Sequence, residues 1–531
     1  MGSRQGPSHC VWRPILLLLP VAFAAFALIA AIVTDFHQCH NDFWDTYFIV
    51  KHFRWDNPQS WYNPFHPVGN YALLSLIMGE GDPSYPAITA NILIASLTLL
   101  ECGFLYRKVI SLPAAAISIV LLGIFPLFLH YSTAGGGDPA SVLLFVTGFL
   151  LLTKASWSDQ PGSRLSFAAG LLLGCAALFR YHALFGSMLL LGSWAVVYRS
   201  RLRQIAIATA GLLIAFIPQI VVTLASGHGI FKMGYGPVNL YDLMYGLNWY
   251  HTITLDIPRS ALQVIALDPL LFVKKYLIAL ISYSYCFVPL MAAVILCPET
   301  RQRKIFGVAA LWSIAYFGLF SATTSGRQPL LALPLTFMAI GWLTEALATG
   351  TVPFSRTVPS RARRFLVAFS LCAVSVVFVY KDCVKMGLRI NNRQMFTQVE
   401  QECLRMGCTG GNQVFSTDFD LYFRNLNPFL PMTNGGAPRW GTYALNELYP
   451  EFPTQTLDTF AQACRDRGVR VVALIPACSL LTPDFGRLYN GERTSAAFAY
   501  VAEVGRFRLF RVTRTEHALG EEPSRWQLTD P

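Results

Sequence analysis

About eleven long apolar segments constrain the fold of this chain more than any other feature. They lie at residues 14–33, 86–106, 112–129, 140–153, 165–179, 183–198, 205–224, 276–297, 305–321, 329–346 and 365–380. A helix that crosses a bilayer needs about 20 apolar residues. Within lipid every backbone polar group must be bonded inside the protein, which favours helices. The sequence therefore predicts an α-helical polytopic membrane protein with about eleven transmembrane helices.

The composition excludes a water-soluble globular protein. Of the 531 residues, 54% are hydrophobic and only 13% are charged, whereas a soluble domain carries about 25% charged residues. The formal net charge is +11, which in a soluble protein could indicate nucleic acid or an anionic membrane. In a polytopic chain, however, basic residues mark the cytoplasmic loops. We therefore expect the lipid bilayer as a partner, and no nucleic acid.

Basic residues between the segments predict the orientation of the chain. With a cytoplasmic N-terminus, every inner loop carries Lys or Arg, as the positive-inside rule requires. These residues are Arg107 and Lys108; Lys154 and Arg164; Arg199, Arg201 and Arg203; Arg301, Arg303 and Lys304; and Arg356, Arg361, Arg363 and Arg364. The orientation places residues 34–85, 225–275 and 323–328, and everything after Tyr380, outside the cytoplasm.

The part of the chain after residue 380 differs in character. The run "VRVVALIPA" (Val469–Ala477) has the pattern of a buried strand. The preceding "TLDTFAQACRDRG" is typical of a helix that ends at Gly468. A helix followed by a parallel strand predicts a small α/β domain. We therefore divide the chain into a transmembrane domain, 1–380, and a soluble extracytoplasmic domain, 381–531.

Ionisable residues crowd the first outer loop, in "IVTDFHQCHNDFWDTYFIVKHFRW" (Ile32–Trp55). Asp42 and Asp45 are three residues apart and would share one face of a helix. The aromatic residues that follow are typical of a helix lying in the membrane interface. Such a helix would hold a carboxylate at the boundary of water and lipid, where it suits a general base. Solvated loop charges are the alternative interpretation.

The same loop contains residue types that bind metals. His37, Cys39, His40 and Asp42 are of the zinc-ligand types, but zinc sites use wider, paired spacings. A divalent cation held by Asp35 and Asp42 is an open alternative. We assign no metal ligand from the sequence.

Six further polar residues, in four stretches of the sequence, adjoin apolar segments on the predicted outer face. "HYSTAGGGDPAS" contains His130 and Asp138, "FRYHA" contains Arg180 and His182, "TTSGRQPLLALPL" contains Arg327, and Lys275 precedes a late segment. Ionisable residues near membrane depth are functional candidates, and Arg binds phosphate in a bidentate manner. The competing interpretations are an N-cap for Asp138, an ordinary loop for Arg180, and contact with lipid head groups for Arg327 and Lys275.

These motifs resemble the GT-C-type glycosyltransferases, a superfamily that includes the protein O-mannosyltransferases and the lipid A aminoarabinose transferase. "NDFWDTYFIVKHF" is similar to the acidic motif of the first outer loop, which is followed by Tyr, here Tyr47, and an interfacial helix. "GGGDPASVLLFVTGFLLL", "ALFRYHAL" and "GRQPLLALPL" are similar to later family motifs. Many members have adjacent Asp-Glu in the first motif, whereas Phe43 follows Asp42 here. Gln328 replaces the Tyr that usually follows the late Arg.

The resemblance implies transfer of a sugar from a polyprenyl-phosphate-linked donor to an unknown extracytoplasmic acceptor (glycan, lipid or protein), with inversion. It implies a catalytic carboxylate at Asp42 or Asp45, and we favour Asp42. The residues expected to bind substrate are Tyr47, His130, Asp138, Arg180, His182, Lys275 and Arg327. A multispan transporter or flippase of lipid-linked sugars, and a scaffold that has lost activity, are the alternatives.

Overall fold

The computed structural model describes residues 8–34, 50, 56–57, 67–77, 84–158, 162–226, 236–245, 258, 260–321, 327–352, 355, 357–409, 413–416, 456–476 and 483–513. The chain divides into two compact units. One comprises Met1–Thr252 and Ile257–Ile390, and the other comprises Ile253–Asp256 and Asn391–Pro531. The predicted domain boundary at residue 380 lies inside a long helix, Ser360–Arg405.

The first unit is helical throughout its described part. Its helices are α1 (Ser8–Val33), α2 (Val68–Ile77), α3 (Ser84–Val109), α4 (Leu112–Gly123), α5 (Pro126–Ser132), α6 (Asp138–Trp157), α7 (Ser163–Phe179), α8 (Tyr181–Val197), α9 (Leu202–Ala225), α10 (Gly236–Tyr245), α11 (Ala261–Leu267), α12 (Pro269–Ser282), α13 (Ser284–Leu296), α14 (Thr300–Phe320), α15 (Pro329–Thr349) and α16 (Ser360–Arg405).

The predicted membrane-spanning helices are present. Among the described residues, seven helices are long and apolar enough to cross a bilayer, and nine spans result if each of two bent pairs counts as one. The remaining two predicted segments form α7 and α8, which are shorter at 17 residues each. Large apolar side chains such as Leu18, Ile29 and Ile295 are more than half exposed on the surface of the helical unit, as expected for helices that face lipid. The polytopic helical fold is therefore confirmed.

Two predicted straight segments are bent in the structure. The segment 112–129 becomes α4 and α5, which meet at 63°, and 276–297 becomes α12 and α13, which meet at 62°. Pro126 lacks the N–H that would bond to the carbonyl of Leu122, so the helix cannot continue through this point. At the second bend, the Tyr283 N–H donates to the carbonyls of Ala279 and Leu280, which closes α12 with a tightened turn.

Helices α7 and α9 approach each other through glycines. A Cβ atom on Gly170 would overlap the carbonyl oxygen of Ala208, and one on Gly174 would overlap that of Leu212. Gly211 of α9 similarly faces the carbonyl oxygen of Phe167. Small residues spaced four apart let helix backbones pack closely in a membrane. This crossing fixes α7, whose C-terminal end carries Arg180.

We expect Gly170→Ala to destabilise the protein by about 1–3 kcal/mol, because the added methyl overpacks the helix crossing. Gly192→Ala is the matched control, since no atom lies within 4 Å of a Cβ placed there. In a helix the control change should be neutral or stabilising by up to about 1 kcal/mol. Unfolding in detergent measures both, and equal effects of the two variants would contradict the close crossing.

The second unit contains the predicted α/β elements. Its strands are β1 (Val414–Ser416), β2 (Val471–Leu474), β3 (Phe498–Val504) and β4 (Phe507–Val512), in the order β1-β2-β4-β3. β1 pairs parallel with β2, and the other pairs are antiparallel. Helix α17 (Leu457–Asp466) precedes β2 as predicted, and α18 (Pro483–Asn490) follows it. The small C-terminal α/β fold is therefore confirmed.

The α/β unit has its own apolar core. Phe460 of α17 contacts the rings of Phe415, Phe485 and Phe498. The turn after α17 requires Gly468, which has a φ of +72°, a conformation that glycine adopts without a steric penalty. Cys464 is buried beside this turn as a free thiol, and burial raises its pKa.

Candidate active site

Helices α7 and α8 fold back on each other at a single residue, Arg180. This residue has extended backbone angles, with φ −150° and ψ 124°, between two helical neighbours. Ser187 donates a hydrogen bond of 3.3 Å to the carbonyl of Leu173. Because these two residues lie seven positions on either side of Arg180, the helices form an antiparallel hairpin. Arg180 therefore stands at one end of the helical bundle.

The guanidinium of Arg180 forms a buried ion pair with Asp138, the first residue of α6. The Nη2–Oδ2 distance is 2.5 Å, and the two residues are 5% and 3% exposed. A lone buried charge would be costly, and each partner relieves that cost for the other. The sequence indicates an N-cap as one interpretation of Asp138, but the cap residue of α6 is Gly137 and makes no side-chain bond.

The glycines before Asp138 make room for this pair. A Cβ on Gly136 would lie 3.2 Å from Arg180 Nη2, and one on Gly137 would lie 3.1 Å from the side chain of Asn70. Gly135 has a φ of +72°, which favours glycine. The Asn91 amide donates to the carbonyl of Gly136 at 2.8 Å. The three-glycine segment 135–137 therefore packs closely against α2, α3 and the C-terminal end of α7.

The end of the first outer loop is anchored at the same place. The Val68 N–H donates to Gln219 of α9 at 2.8 Å, and Gln219 in turn donates to the Tyr181 hydroxyl at 3.0 Å. A Cβ on Gly69 would lie 2.7 Å from the carbonyl oxygen of Leu178. With Asn70 against Gly137, these contacts hold the start of α2 beside the Arg180 hairpin. The loop that carries Asp42 and Asp45 precedes this start in the sequence.

His182 and Arg327 join the same region. Asp138, Arg180 and Arg327 all interact electrostatically with His182, and the His182 ring lies 6.4 Å from that of Phe320. The guanidinium carbon of Arg327 lies 5.9 Å from the centre of the Tyr131 ring. The structure thus brings together four of the predicted site residues, Asp138, Arg180, His182 and Arg327, from three separate parts of the sequence.

His130 is also part of this end of the bundle, through a residue that the sequence analysis missed. Arg389 of α16 lies 2.7 Å from His130 Nδ1 and donates to the Thr133 hydroxyl at 3.4 Å. Lys385 and Asp382, one and two turns earlier on α16, interact electrostatically with Arg389. The spacing of 382, 385 and 389 on one helical face was the available signal. This part of α16 follows the last predicted apolar segment, and the sequence analysis places it in the soluble domain.

The remaining predicted site residues are Asp42, Asp45, Tyr47 and Lys275. Asp42, Asp45 and Tyr47 lie outside the described residues, as do the metal-ligand types at 35–40. Lys275 is half-buried on α12, and the described residues show no hydrogen bond or ion pair between it and the group above. They also contain no cluster of three or more His, Cys, Asp or Glu side chains that could hold a metal ion.

The charge balance of the group suits an anion. Its described members include three guanidiniums and one ammonium, against two carboxylates; they are Arg180, Arg327, Arg389, Lys385, Asp138 and Asp382. Asp138 offsets the charge of Arg180 directly. Arg327 sits on an aromatic face immediately before α15, where a guanidinium can bind phosphate in a bidentate manner. The arrangement therefore distinguishes a positioning arginine, Arg180, from a candidate phosphate ligand, Arg327.

The fold is similar to that of known membrane proteins. ArnT from Cupriavidus metallidurans bound to undecaprenyl phosphate aligns with a TM-score of 0.54 and 14% identity, over 94% of this chain and 99% of that chain. Its apo state gives a TM-score of 0.52 and 14% identity, with 92% and 97% covered. The oligosaccharyltransferase of Archaeoglobus fulgidus aligns less well, with a TM-score of 0.48 and 12% identity, over 93% of this chain and 74% of that chain.

No protein-family model matches the sequence, and no curated protein sequence matches it. The likeness to ArnT extends over nearly the whole of both chains, so it includes the helical bundle and the C-terminal part. The predicted resemblance is therefore confirmed for the fold alone, which this chain shares with ArnT.

Proposed function

We propose that this chain is a glycosyltransferase that moves a sugar from a polyprenyl-phosphate carrier to an acceptor outside the cytoplasm. The observation that carries the proposal is the meeting of Asp138, Arg180, His182 and Arg327 beside the anchored end of the first loop. The shared fold with ArnT, whose structure holds undecaprenyl phosphate, supports a lipid-phosphate donor.

The proposed reaction uses the first loop as the source of the base. Asp42, or Asp45 in the open alternative, removes the proton from an acceptor hydroxyl or amine. The acceptor atom then forms a bond to the anomeric carbon as the bond from that carbon to the phosphate oxygen breaks. The configuration at the anomeric carbon is inverted, and the electron pair of the broken bond leaves with the polyprenyl phosphate. Arg327 stabilises the added negative charge on the phosphate, which is an electrostatic contribution to the transition state.

The buried pair has a positioning role in this scheme. Asp138 holds Arg180 in the break between α7 and α8, and this hairpin packs against Gly69 and Gly137. The end of the first loop is therefore held at a fixed point beside the site, the start of α2. His130, His182 and Arg389 complete the wall of the site in this proposal, and a divalent cation bound by the loop stays an alternative.

A transferase assay tests the proposal. The probes are radiolabelled undecaprenyl-phosphate-linked hexose and pentose, incubated with the purified protein in nanodiscs and with membranes of a deletion strain as the source of acceptor. We expect label to move from the carrier to a membrane product, and no transfer from nucleotide sugars. Absence of transfer with every carrier-linked sugar, from protein that binds undecaprenyl phosphate, would contradict the proposal.

A flippase is the second candidate, and the bent helix pairs favour it. Transporters place their binding sites at broken helices near the middle of the membrane. In this chain three charged residues of the proposed site, Asp138, Arg180 and Arg327, instead lie at helix ends. Vesicles that contain the protein and a carrier-linked sugar separate the two functions: a flippase moves the lipid between leaflets without breaking the sugar–phosphate bond.

We expect Arg327→Gln to raise the KM for the polyprenyl-phosphate donor about tenfold and to lower kcat, because a charge-assisted contact to phosphate is lost in the bound donor and in the transition state. Arg301→Gln is the matched control. Arg301 is exposed at the start of α14, and Phe320 at the other end of this helix contacts His182, so Arg301 lies at the end away from the site. Initial rates at varied donor concentration measure the effect. An unchanged KM in Arg327→Gln would remove this residue from the donor site.

A further inference from the structure

A cavity lies along α15 and α16. On α16 it runs from Phe378, one turn before Asp382, to Arg363, which is remote from the group of charged residues described above. This cavity of about 650 Å³ opens between these helices and the ends of α4 and α13. Along α15 it extends from Leu333 to Leu347, which is about 20 Å of helix. Its volume falls within the range of about 300–1,000 Å³ for small-molecule sites. We call this cavity the α15–α16 groove.

The walls of the groove offer hydrocarbon. They include Phe337 and Ile340 of α15, and Leu366, Val374 and Phe378 of α16. Three hydroxyls in the walls are bonded to the protein. Thr336 donates to the Cys286 carbonyl, Thr344 to that of Ile340 and Ser355 to that of Val352, each at 2.7 Å. A polar ligand would find few partners here, whereas an alkyl chain would fit.

One end of the groove is cationic. Arg363 lines it and donates from Nη1 to the Ser355 carbonyl at 2.7 Å. Its guanidinium packs on Gly350, where a Cβ would overlap it. The buried Nε of Arg363 has no hydrogen-bond partner within the described part of the chain. This end follows the C-terminus of α15, whereas Arg327 precedes its N-terminus, so the helix separates the two arginines by about 30 Å.

We propose that the α15–α16 groove binds an anionic glycerophospholipid of the membrane, with an acyl chain between the helices and the phosphate at Arg363. The apolar walls match the chain, and the single arginine at the end matches the charge of the head group. The window of α16 that can cross the membrane is otherwise not buried against the protein, so a lipid in the groove fills the space beside it. The donor phosphate proposed above binds at the opposite end of α15, about 30 Å from Arg363, so the two phosphate positions are separate.

Native mass spectrometry of the full chain tests this site. The probes are dioleoylphosphatidylglycerol, which is anionic, and dioleoylphosphatidylcholine, which is zwitterionic, each added to delipidated protein in detergent. We expect the unsubstituted protein to retain one phosphatidylglycerol in preference to phosphatidylcholine. Arg363→Gln should reduce that preference about tenfold, the effect of one charge-assisted contact. Arg364→Gln, at an exposed neighbour outside the groove, should preserve it.

A second pair of variants tests the chain-binding part. Ser370→Trp fills the groove and should abolish retention of both lipids, whereas Val376→Trp, on an exposed face that does not line it, should not. Equal retention in Ser370→Trp, or an unchanged preference in Arg363→Gln, would overturn the proposal. Displacement of phosphatidylglycerol by undecaprenyl phosphate would also overturn it, by assigning the groove to the carrier. Should Ser370→Trp unfold, Val374→Phe replaces it, and the result of Arg363→Gln stands independently of both.

Discussion

Asp42→Asn is expected to lower kcat for sugar transfer by about 10²- to 10⁴-fold, which is the usual contribution of a general base. The amide of Asn has nearly the shape of the carboxylate but cannot take a proton from the acceptor. The KM for the donor should change little, because the proposed ligand of the donor phosphate is Arg327. Initial rates with carrier-linked donor, in the assay proposed above, measure both quantities.

Two further aspartates serve as comparisons for this variant. Asp45→Asn should have the smaller effect, because Asp42 is the favoured base. Asp56→Asn is the control, since Asp56 is exposed beyond the acidic motif, and its activity should be unchanged. A loss confined to Asp45→Asn would move the base to that residue. Full activity in both variants would refute a base in the first loop, and an unsubstituted protein without activity would favour a scaffold.

Removal of one member of the Asp138–Arg180 pair is expected to cost about 3–5 kcal/mol of stability, because the remaining charge stays buried without its partner. The variants are Asp138→Leu and Arg180→Met, made singly and together. Replacement of both charges by apolar side chains of similar size is often neutral. We therefore expect the double variant to be more stable than either single variant. Denaturant or thermal unfolding in detergent gives the change in the free energy of unfolding for each single variant and for the double variant. These three values complete a double-mutant cycle.

The activity of the double variant distinguishes two roles for Arg180. If Arg180 positions the hairpin and the end of the first loop, transfer should recover as stability recovers. If Arg180 itself contacts the donor phosphate, as the family resemblance implies, the double variant should stay inactive while folded. A double variant as unstable as the worse single variant would show that the pair is not the main interaction at this position.

Several features of the site could be predicted because they are local in the sequence. "GGGDPAS" and "FRYHA" stand out as polar interruptions between apolar runs, and an ionisable residue at such a position is conspicuous whatever the fold. The bends at Ile124–Phe125 and at Tyr283 were not predicted, because hydropathy registers the length of an apolar run and not its direction. Arg389 was missed because its partner, His130, is more than two hundred and fifty residues away in the sequence.

The sequence by itself determined that this chain is a bundle of membrane helices with a small α/β part, since apolar runs of bilayer length have no other stable form in lipid. Only the tertiary structure decided that Asp138 pairs with Arg180, and that Gly69 and Asn70 pack beside them. It also decided that α15 and α16 leave an apolar groove between them. The physical reason is that side chains on different helices meet through packing geometry, which periodicity along one helix does not encode.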